Sequence, residues 1–146
     1  MPYDKNSLIF AIRDIAKSFE LPQELVCAVV EQESNFNTCA IRYEAGFYKK
    51  YVEPQNITDP TEARARSISW GLMQIMGQVA RELGFQGSLA QLCEPVIGLT
   101  WGCKKLAQCL KLTSSKGEAL QRWNGGGNPL YAQEVLLRAT KYMTVN

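Results

Sequence analysis

Signals for the start of a helix recur along the whole chain and leave little of it for strands. Proline is tolerated in the first helical turn, where the backbone N–H has no intrahelical partner. Apolar residues at helical spacing over 7–19 predict a first amphipathic helix, and Ser115 with Glu118 forms a capping box for a later one. First-turn prolines predict four more helices, beginning at Pro22, Pro60, Pro95 and Pro129. The chain is therefore predicted to be mainly α-helical.

The predicted elements fill the chain without a break that would separate two domains. Helical segments are expected at 7–19, 22–33, 60 onward, 70–83, 88–92, 95–111, 115 onward and 128–142. Residues 37–60 are irregular and aromatic-rich, so we expect an ordered loop or at most a small hairpin there, which lines a cleft. Since there is no internal repeat and no shift in composition, we predict one domain, 1–146.

The absence of histidine removes whole classes of chemistry. Ser-His-Asp and Cys-His catalytic sites and zinc sites built on imidazole are excluded, so carboxylates are the favoured catalytic groups. The five cysteines form no C-x-x-C pair, and we expect buried, reduced thiols while a disulfide stays open. No metal and no organic cofactor is predicted.

Charge and hydropathy limit the classes of partner that the chain is expected to bind. A net charge of +2 with dispersed Lys and Arg does not favour nucleic acid, but it suits an acidic polymer. No apolar stretch approaches the roughly 20 residues that cross a bilayer, and no apolar run follows a basic amino terminus. We therefore expect no membrane insertion, no signal peptide, synthesis in the cytoplasm and a monomer.

One carboxylate lies on the apolar face of the second predicted helix. At about 100° per residue, Glu33 falls within the arc of the apolar side chains that begins at Leu25, whereas Glu24 and Glu31 fall on the opposite side. Burial disfavours the ionised form, so the pKa of Glu33 is predicted to be raised, as general acid catalysis requires. The alternative is a helix-end acid that turns to solvent or pairs with a buried arginine.

Three motifs follow one another at wide spacing. Each is weak alone, but their order and spacing resemble the lytic transglycosylase and goose-type lysozyme superfamily from about Leu21 to the last helix. The resemblance implies a mainly α, α+β lysozyme-like fold, a helical bundle around a cleft that binds peptidoglycan glycan strands. The motifs are Glu33-Ser34-Asn35-Phe36, Gly71-Leu72-Met73-Gln74-Ile75-Met76 and Trp123-Asn124-Gly125-Gly126, with Tyr131 after them.

The first two motifs carry the catalytic group and a cleft wall in that superfamily. The resemblance implies that Glu33 is the single catalytic acid and base, and that Ser34 contacts a peptide or acetamido group of the substrate. It implies that Met73 and Gln74 form cleft wall, with Gln74 offering its amide to the sugar. For Met73, simple core packing is the alternative.

The third motif supplies further substrate contacts by the same resemblance. Asn124 would hold the N-acetyl group, and the ring of Trp123 would face the cleft. The family more often has tyrosine where this chain has Trp123, although an indole still stacks on a sugar face. Tyr131 matches a tyrosine near the catalytic glutamate, with core packing as its alternative.

The link between the first two motifs departs from the commonest transglycosylase pattern, which is short. Here it comprises 36 residues, 35–70. Within it Arg42-Tyr43-Glu44-Ala45-Gly46-Phe47-Tyr48 resembles a segment of phage-type N-acetylmuramidases, in which an acid also follows an aromatic residue. We therefore expect Tyr43 to bind substrate and Glu44 to be a candidate second carboxylate. The alternative is that Glu44 pairs with Arg42 or a lysine at the cleft rim.

Three functions follow, of which the first is favoured. A lytic transglycosylase would use Glu33 as acid and base to cut the β-1,4 bond after N-acetylmuramic acid and leave 1,6-anhydro ends. A hydrolytic muramidase would use Glu44, or with less support Asp59 or Glu62, to activate water. The third function is an inactive peptidoglycan-binding module. The one-domain layout favours a phage or prophage endolysin that is released onto the cell wall.

Overall fold

The computed structural model describes residues 3–144, and most of them are helical. Within these residues the chain forms eight α-helices, several short 3₁₀ or π turns and one small sheet. The helices are α1 Lys5–Ser18, α2 Gln23–Ser34, α3 Ala45–Phe47, α4 Pro60–Arg66, α5 Gly77–Glu82, α6 Pro95–Lys111, α7 Lys116–Asn124 and α8 Tyr131–Ala139. The strands are β1 Ile41–Tyr43, β2 Ile68–Trp70 and β3 Ile75–Met76. The predicted mainly α fold with a small β element is confirmed.

Local capping explains where several helices begin. The Asp59 carboxylate accepts from the N–H of Thr61 at 3.0 Å, with Pro60 in the first turn of α4. The Ser115 hydroxyl accepts from the N–H of Glu118 at 3.1 Å and caps α7. Side-chain caps satisfy backbone donors that lack a partner in the first turn. The predicted starts at these residues are therefore confirmed.

Helix α2 is the centre of the main core. Its residues from Leu25 to Glu31 are all buried, and α1 and α8 pack against it. Glu31 lies opposite the apolar arc as predicted, yet this side of α2 is not exposed, because α8 and the 3₁₀ turn Thr140–Tyr142 that follows cover the side chain. Glu31 is only 7% exposed and accepts hydrogen bonds from Arg138, Lys141 and Tyr142.

The three strands form an antiparallel sheet in the order β1-β2-β3. Ile41 pairs with Trp70, and Trp70 pairs with Ile75. The prediction of a helix over 70–83 is wrong for its first part, where β2 and β3 form a tight hairpin, and α5 begins only at Gly77. Segment 37–60 supplies β1, and after it a run of helical turns: α3, the π-helix Tyr48–Val52 and the 3₁₀ turn Glu53–Gln55.

Two apolar clusters divide the molecule. The larger is formed by α1, α2, α6, α7 and α8, and the smaller by side chains of the sheet, α5 and the 3₁₀ turn Leu89–Cys93. Within residues 3–144 no helix is both long and apolar enough to cross a membrane. All five cysteines are free thiols. The prediction that they are buried is confirmed for Cys27, Cys103 and Cys109, but Cys39 is exposed and Cys93 is half-buried.

Candidate active site

A cleft of about 790 Å³ runs between the helical part of the molecule and the sheet. Residues from α2, β1, α5, α6 and α7 line it, and so do the turns after β1 and β2. A volume of this size is within the range of ligand-binding clefts in proteins. Glu33, in the last turn of α2, lies in its wall.

Two side chains from the carboxyl-terminal helices hold the Glu33 carboxyl group. The Tyr131 hydroxyl donates to Glu33 Oε2 at 2.5 Å, and the Trp123 indole N–H donates to the same oxygen at 3.3 Å. Both donors are buried. Both side chains bind Oε2, and neither of them donates to the other oxygen, Oε1.

Burial raises the pKa of the Glu33 carboxyl group above its ordinary value. The hydrogen bonds from Tyr131 and Trp123 and the positive charge of Lys105 lower the pKa and offset only part of this effect. Burial, together with the Glu33 charge, also raises the pKa of Tyr131, so its hydroxyl remains a donor. The predicted direction for Glu33 is confirmed, and its neutral form is a candidate general acid.

Lys105 is a cleft residue that the sequence analysis did not single out. Its ammonium lies 4.7 Å from the centroid of the Trp123 ring and 3.5 Å from the Trp123 carbonyl oxygen, to which it donates. Burial lowers the pKa of Lys105, while the charges of Glu33 and Glu82 raise it. The helical spacing of α6 could have identified Lys105. It lies three residues after Gly102 and four before Cys109, both buried, so the spacing places its charge on the packed face of α6.

The third motif ends α7 and forms a loop at the edge of the cleft. Gly125 ends α7 in a left-handed conformation with φ 79°, which suits glycine. The Asn124 side chain, oriented by its hydrogen-bond partners, accepts from the N–H groups of Gly127 and Asn128 at 3.0 and 2.8 Å. Trp123 and Asn124 both line the cleft, where the sequence placed them.

The second motif forms the hairpin turn between β2 and β3. Gln74 lies in the cleft wall, and its amide nitrogen donates to the carbonyls of Ala40 and Gly71 at 2.9 and 3.0 Å. Met73 is fully buried, and a Cβ at Gly102 would approach its sulfur to 2.4 Å. The prediction that Met73 forms cleft wall is therefore corrected: its side chain packs in the core.

Ser34 is also tied to the protein rather than turned to the cleft. Its hydroxyl donates to the Leu72 carbonyl oxygen at 2.8 Å and lies 3.1 Å from that of Val30. This contact fastens the end of α2 to the second motif. Ser34 does not line the cleft, so its position supports a role in placing Glu33 instead of the predicted substrate contact.

The side chain of Tyr43 and those of its two neighbours point to opposite faces of β1. Arg42 and Glu44 line the cleft and form an ion pair at 3.0 Å. Tyr43 lies on the other face, where its hydroxyl accepts from Arg64 at 2.5 Å. Successive strand side chains point to opposite faces, so the expected substrate contact of Tyr43 is corrected, whereas Glu44 lies in the cleft with its predicted partner.

A carboxyl group shielded in the wall of a cleft, between helices and a small antiparallel sheet, is the arrangement of a lysozyme-like fold. The Transglycosylase SLT domain matches residues 10–141, and the chain belongs to this family. The family acts on the glycan strands of peptidoglycan, so membership indicates a glycosidase-type, peptidoglycan-cleaving enzyme. No curated protein and no solved structure gave a significant match.

Proposed function

We propose that this chain cleaves the β-1,4 bond between N-acetylmuramic acid and N-acetylglucosamine, with Glu33 as both acid and base. The observation that carries the proposal is the Glu33 carboxyl group, half-buried in the cleft wall with Oε2 bound by Tyr131 and Trp123. Burial favours the neutral carboxyl group, and the two donors support the carboxylate that forms after proton transfer.

In this reaction Glu33 first donates a proton to the leaving oxygen and later accepts one from the muramic 6-hydroxyl group. Neutral Glu33 donates its proton to the glycosidic oxygen as the bond to the anomeric carbon breaks, and the 2-acetamido oxygen bonds to that carbon. The Glu33 carboxylate then takes the proton of the muramic 6-hydroxyl group. That oxygen displaces the acetamido oxygen, so the product is a 1,6-anhydro sugar and Glu33 is neutral again.

The state of Glu44 favours this reaction over hydrolysis. A base that activates water must be free to accept its proton, but Glu44 is paired with Arg42 and its side chain is one-third exposed. We expect Glu44→Gln to keep most of the activity and to release anhydromuramic products, each lighter by one water than the reducing form. Mass spectrometry of muropeptides released from purified peptidoglycan measures both. Reducing ends from the parent protein that vanish in Glu44→Gln would establish the muramidase instead.

Lys105 provides a test of the acid role through pH. Its positive charge lowers the pKa of Glu33, so Lys105→Met is expected to raise that pKa further. Because the acid must be protonated, activity falls as pH rises through the pKa of Glu33. The alkaline limb of the kcat/KM profile should therefore move to higher pH in Lys105→Met and stay close to the parent position in Lys105→Arg. An unmoved limb in Lys105→Met would mean that Glu33 does not control it.

A binding module without activity is the remaining alternative. It predicts that the protein sediments with purified cell walls and leaves their turbidity unchanged. The shielded carboxyl group argues against it, because binding alone does not require a glutamate with a raised pKa.

A further inference from the structure

Two of the five cysteines lie outside both the main core and the cleft. Cys39 comes just before β1 and is exposed, whereas Cys93 ends the 3₁₀ turn before α6 and is half-buried. Neither of them lines the cleft. The other three are packed in the larger apolar cluster: Cys27, Cys103 and Cys109. Cys39 and Cys93 are therefore the pair to which a dissolved reagent has access.

Gly71 brings the two segments that carry these cysteines together. Its N–H donates to the carbonyl oxygen of Ala40, the neighbour of Cys39 in sequence, at 2.7 Å. A Cβ at Gly71 would lie 2.5 Å from the Leu92 carbonyl oxygen and 3.3 Å from the Cα of Cys93. The backbone here approaches too closely for a side chain, and its φ of 69° suits glycine. The backbones on which the two cysteines lie thus both contact one glycine.

The two thiols also influence each other. Burial raises the pKa of the Cys93 thiol, the charge of a Cys39 thiolate raises it further, and the Gly71 N–H lowers it. The repulsion between two like charges falls with distance and is screened by solvent. Its effect on Cys93 agrees with the backbone contacts in placing the two sulfurs in one neighbourhood.

The turn that carries Cys39 is held by local hydrogen bonds. The N–H of Cys39 donates to Asn37 Oδ1 at 3.0 Å, and the N–H of Ala40 donates to the Asn37 carbonyl oxygen at 3.2 Å. The Cys39 sulfur lies 3.8 Å from the Thr38 hydroxyl oxygen. Because Cys39 is exposed and Cys93 only half-buried beside it, an oxidant meets Cys39 first.

We propose that Cys39 and Cys93 form a stabilising disulfide bond, which fastens the start of β1 to the turn before α6. The oxidant is a second disulfide, either a small molecule or a disulfide oxidoreductase. The Cys39 thiolate attacks one sulfur of the oxidant and releases the first thiol, and the Cys93 thiolate then attacks the Cys39 sulfur and releases the second. Two electrons and the two thiol protons pass from the protein to the oxidant, which leaves as two thiols.

The bond closes residues 39–93 into a loop that contains β1, β2 and β3. Such a cross-link stabilises the folded state mainly because it restricts the unfolded chain. Disulfides persist in oxidising compartments such as the periplasm, and peptidoglycan lies outside the cytoplasm. The inference rests on the proposed function for this setting alone. Its test needs no substrate, so the bond and the activity can fail independently.

Formation of the bond is tested on the reduced, purified protein with oxidised glutathione as the oxidant. Remaining thiols are alkylated, and chymotryptic peptides are identified by mass spectrometry. Cleavage after Phe36 and Trp101 separates the peptides of Cys39 and Cys93 from those of the other cysteines. We expect these two peptides to be joined, with the loss of two hydrogen atoms. Glutathione that stays on Cys39 of the parent protein, or a bond to another cysteine, would overturn the proposal.

Two serine variants serve as controls for the exchange. Cys93→Ser should stop at the mixed disulfide and keep glutathione on Cys39, because the second thiol is missing. Cys109→Ser, which removes a buried thiol of α6, should still form the bond. Loss of the bond in a folded Cys109→Ser protein would contradict the assignment.

Thermal unfolding then tests the stabilising effect. Oxidation should raise the Tm of the parent protein by roughly 5–15 °C, and a reductant should reverse the rise. Cys39→Ser, treated in the same way, should keep the Tm of the reduced parent. An oxidised parent protein with an unchanged or lower Tm would overturn the stabilising role.

Discussion

Glu33→Gln is expected to lower kcat for muropeptide release by about a thousandfold or more, within the range that a positioned general acid contributes. Glutamine has the same size and still accepts from the Tyr131 hydroxyl and the Trp123 indole, so the site keeps its shape. What it loses is the proton that the leaving oxygen requires. Mass spectrometry of products from purified peptidoglycan at saturating substrate measures the change.

The stability of Glu33→Gln, compared with that of the parent protein, shows whether its loss of activity comes from the missing proton or from misfolding. The folded pKa of Glu33 lies above the unfolded one, so the carboxyl group favours the folded state most at low pH, and this advantage declines as pH rises through the folded pKa. Glutamine removes that decline, so Glu33→Gln should be at least as stable as the parent protein at alkaline pH. Glu24→Gln, on the same helix, is the control that should keep its activity. Glu33→Gln that retains activity within tenfold of the parent would exclude Glu33 as the acid.

Helix starts were predictable because their causes are local. A first-turn proline or a side-chain cap acts within three or four residues, and Pro95 and Ser115 mark the true starts of α6 and α7. Glu33 was found by another local signal, the helical period, and by its place in the first motif. Both signals depend on one element and need no knowledge of what packs against it.

The hairpin at 70–76 is not predictable from local signals, because its turn depends on an unusual backbone conformation and on a contact with a distant part of the chain. Gln74 adopts a left-handed conformation with φ 51°, which is unusual for a residue with a side chain. The turn is held by hydrogen bonds from Gln74 to Gly71 and, across the chain, to Ala40. An apolar run of this length fits a buried helix equally well, and periodicity alone does not distinguish them.

Neighbouring motif residues proved to have different roles for geometric reasons. Met73 and Gln74 are adjacent, yet one packs in the core and the other lies in the cleft wall. Tyr43 and Glu44 are likewise adjacent. Tyr43, the last residue of β1, points away from the cleft and contacts Arg64, whereas Glu44, the next residue, lines the cleft. A motif identifies a segment, whereas the backbone conformation decides which of its side chains reach the substrate.

Glu31 shows the same limit in the core. The helical period correctly places it opposite the apolar arc of α2, but a helix at the centre of a domain has no solvent face. Arg138 and Lys141, more than 100 residues away in sequence, cover that side and pair with its carboxylate. Such a partner is a product of tertiary packing, so the composition of α2 carries no sign of it.

Glu31→Gln is accordingly expected to lower the free energy of unfolding at neutral pH by about 2–3 kcal/mol. This is below the range for a broken, fully buried pair, because Arg138 and Lys141 are 41% and 57% exposed and solvent screens part of the interaction. Burial alone would raise the pKa of Glu31, but hydrogen bonds from Lys141, Tyr142 and Arg138 outweigh it and lower the pKa to about 2. Urea unfolding of both proteins measures the loss.

The pH dependence of that loss identifies its origin. A lowered folded pKa contributes stability that is present above the unfolded pKa of about 4.3 and is lost as pH falls toward about 2. The difference between the parent and Glu31→Gln should therefore shrink across this interval, whereas Glu24→Gln should show little difference from the parent throughout. A loss of equal size at neutral pH and at the acid end would mean that glutamine disturbs packing, and that the charge of the Glu31 carboxylate does not hold Arg138 and the turn Thr140–Tyr142 against α2.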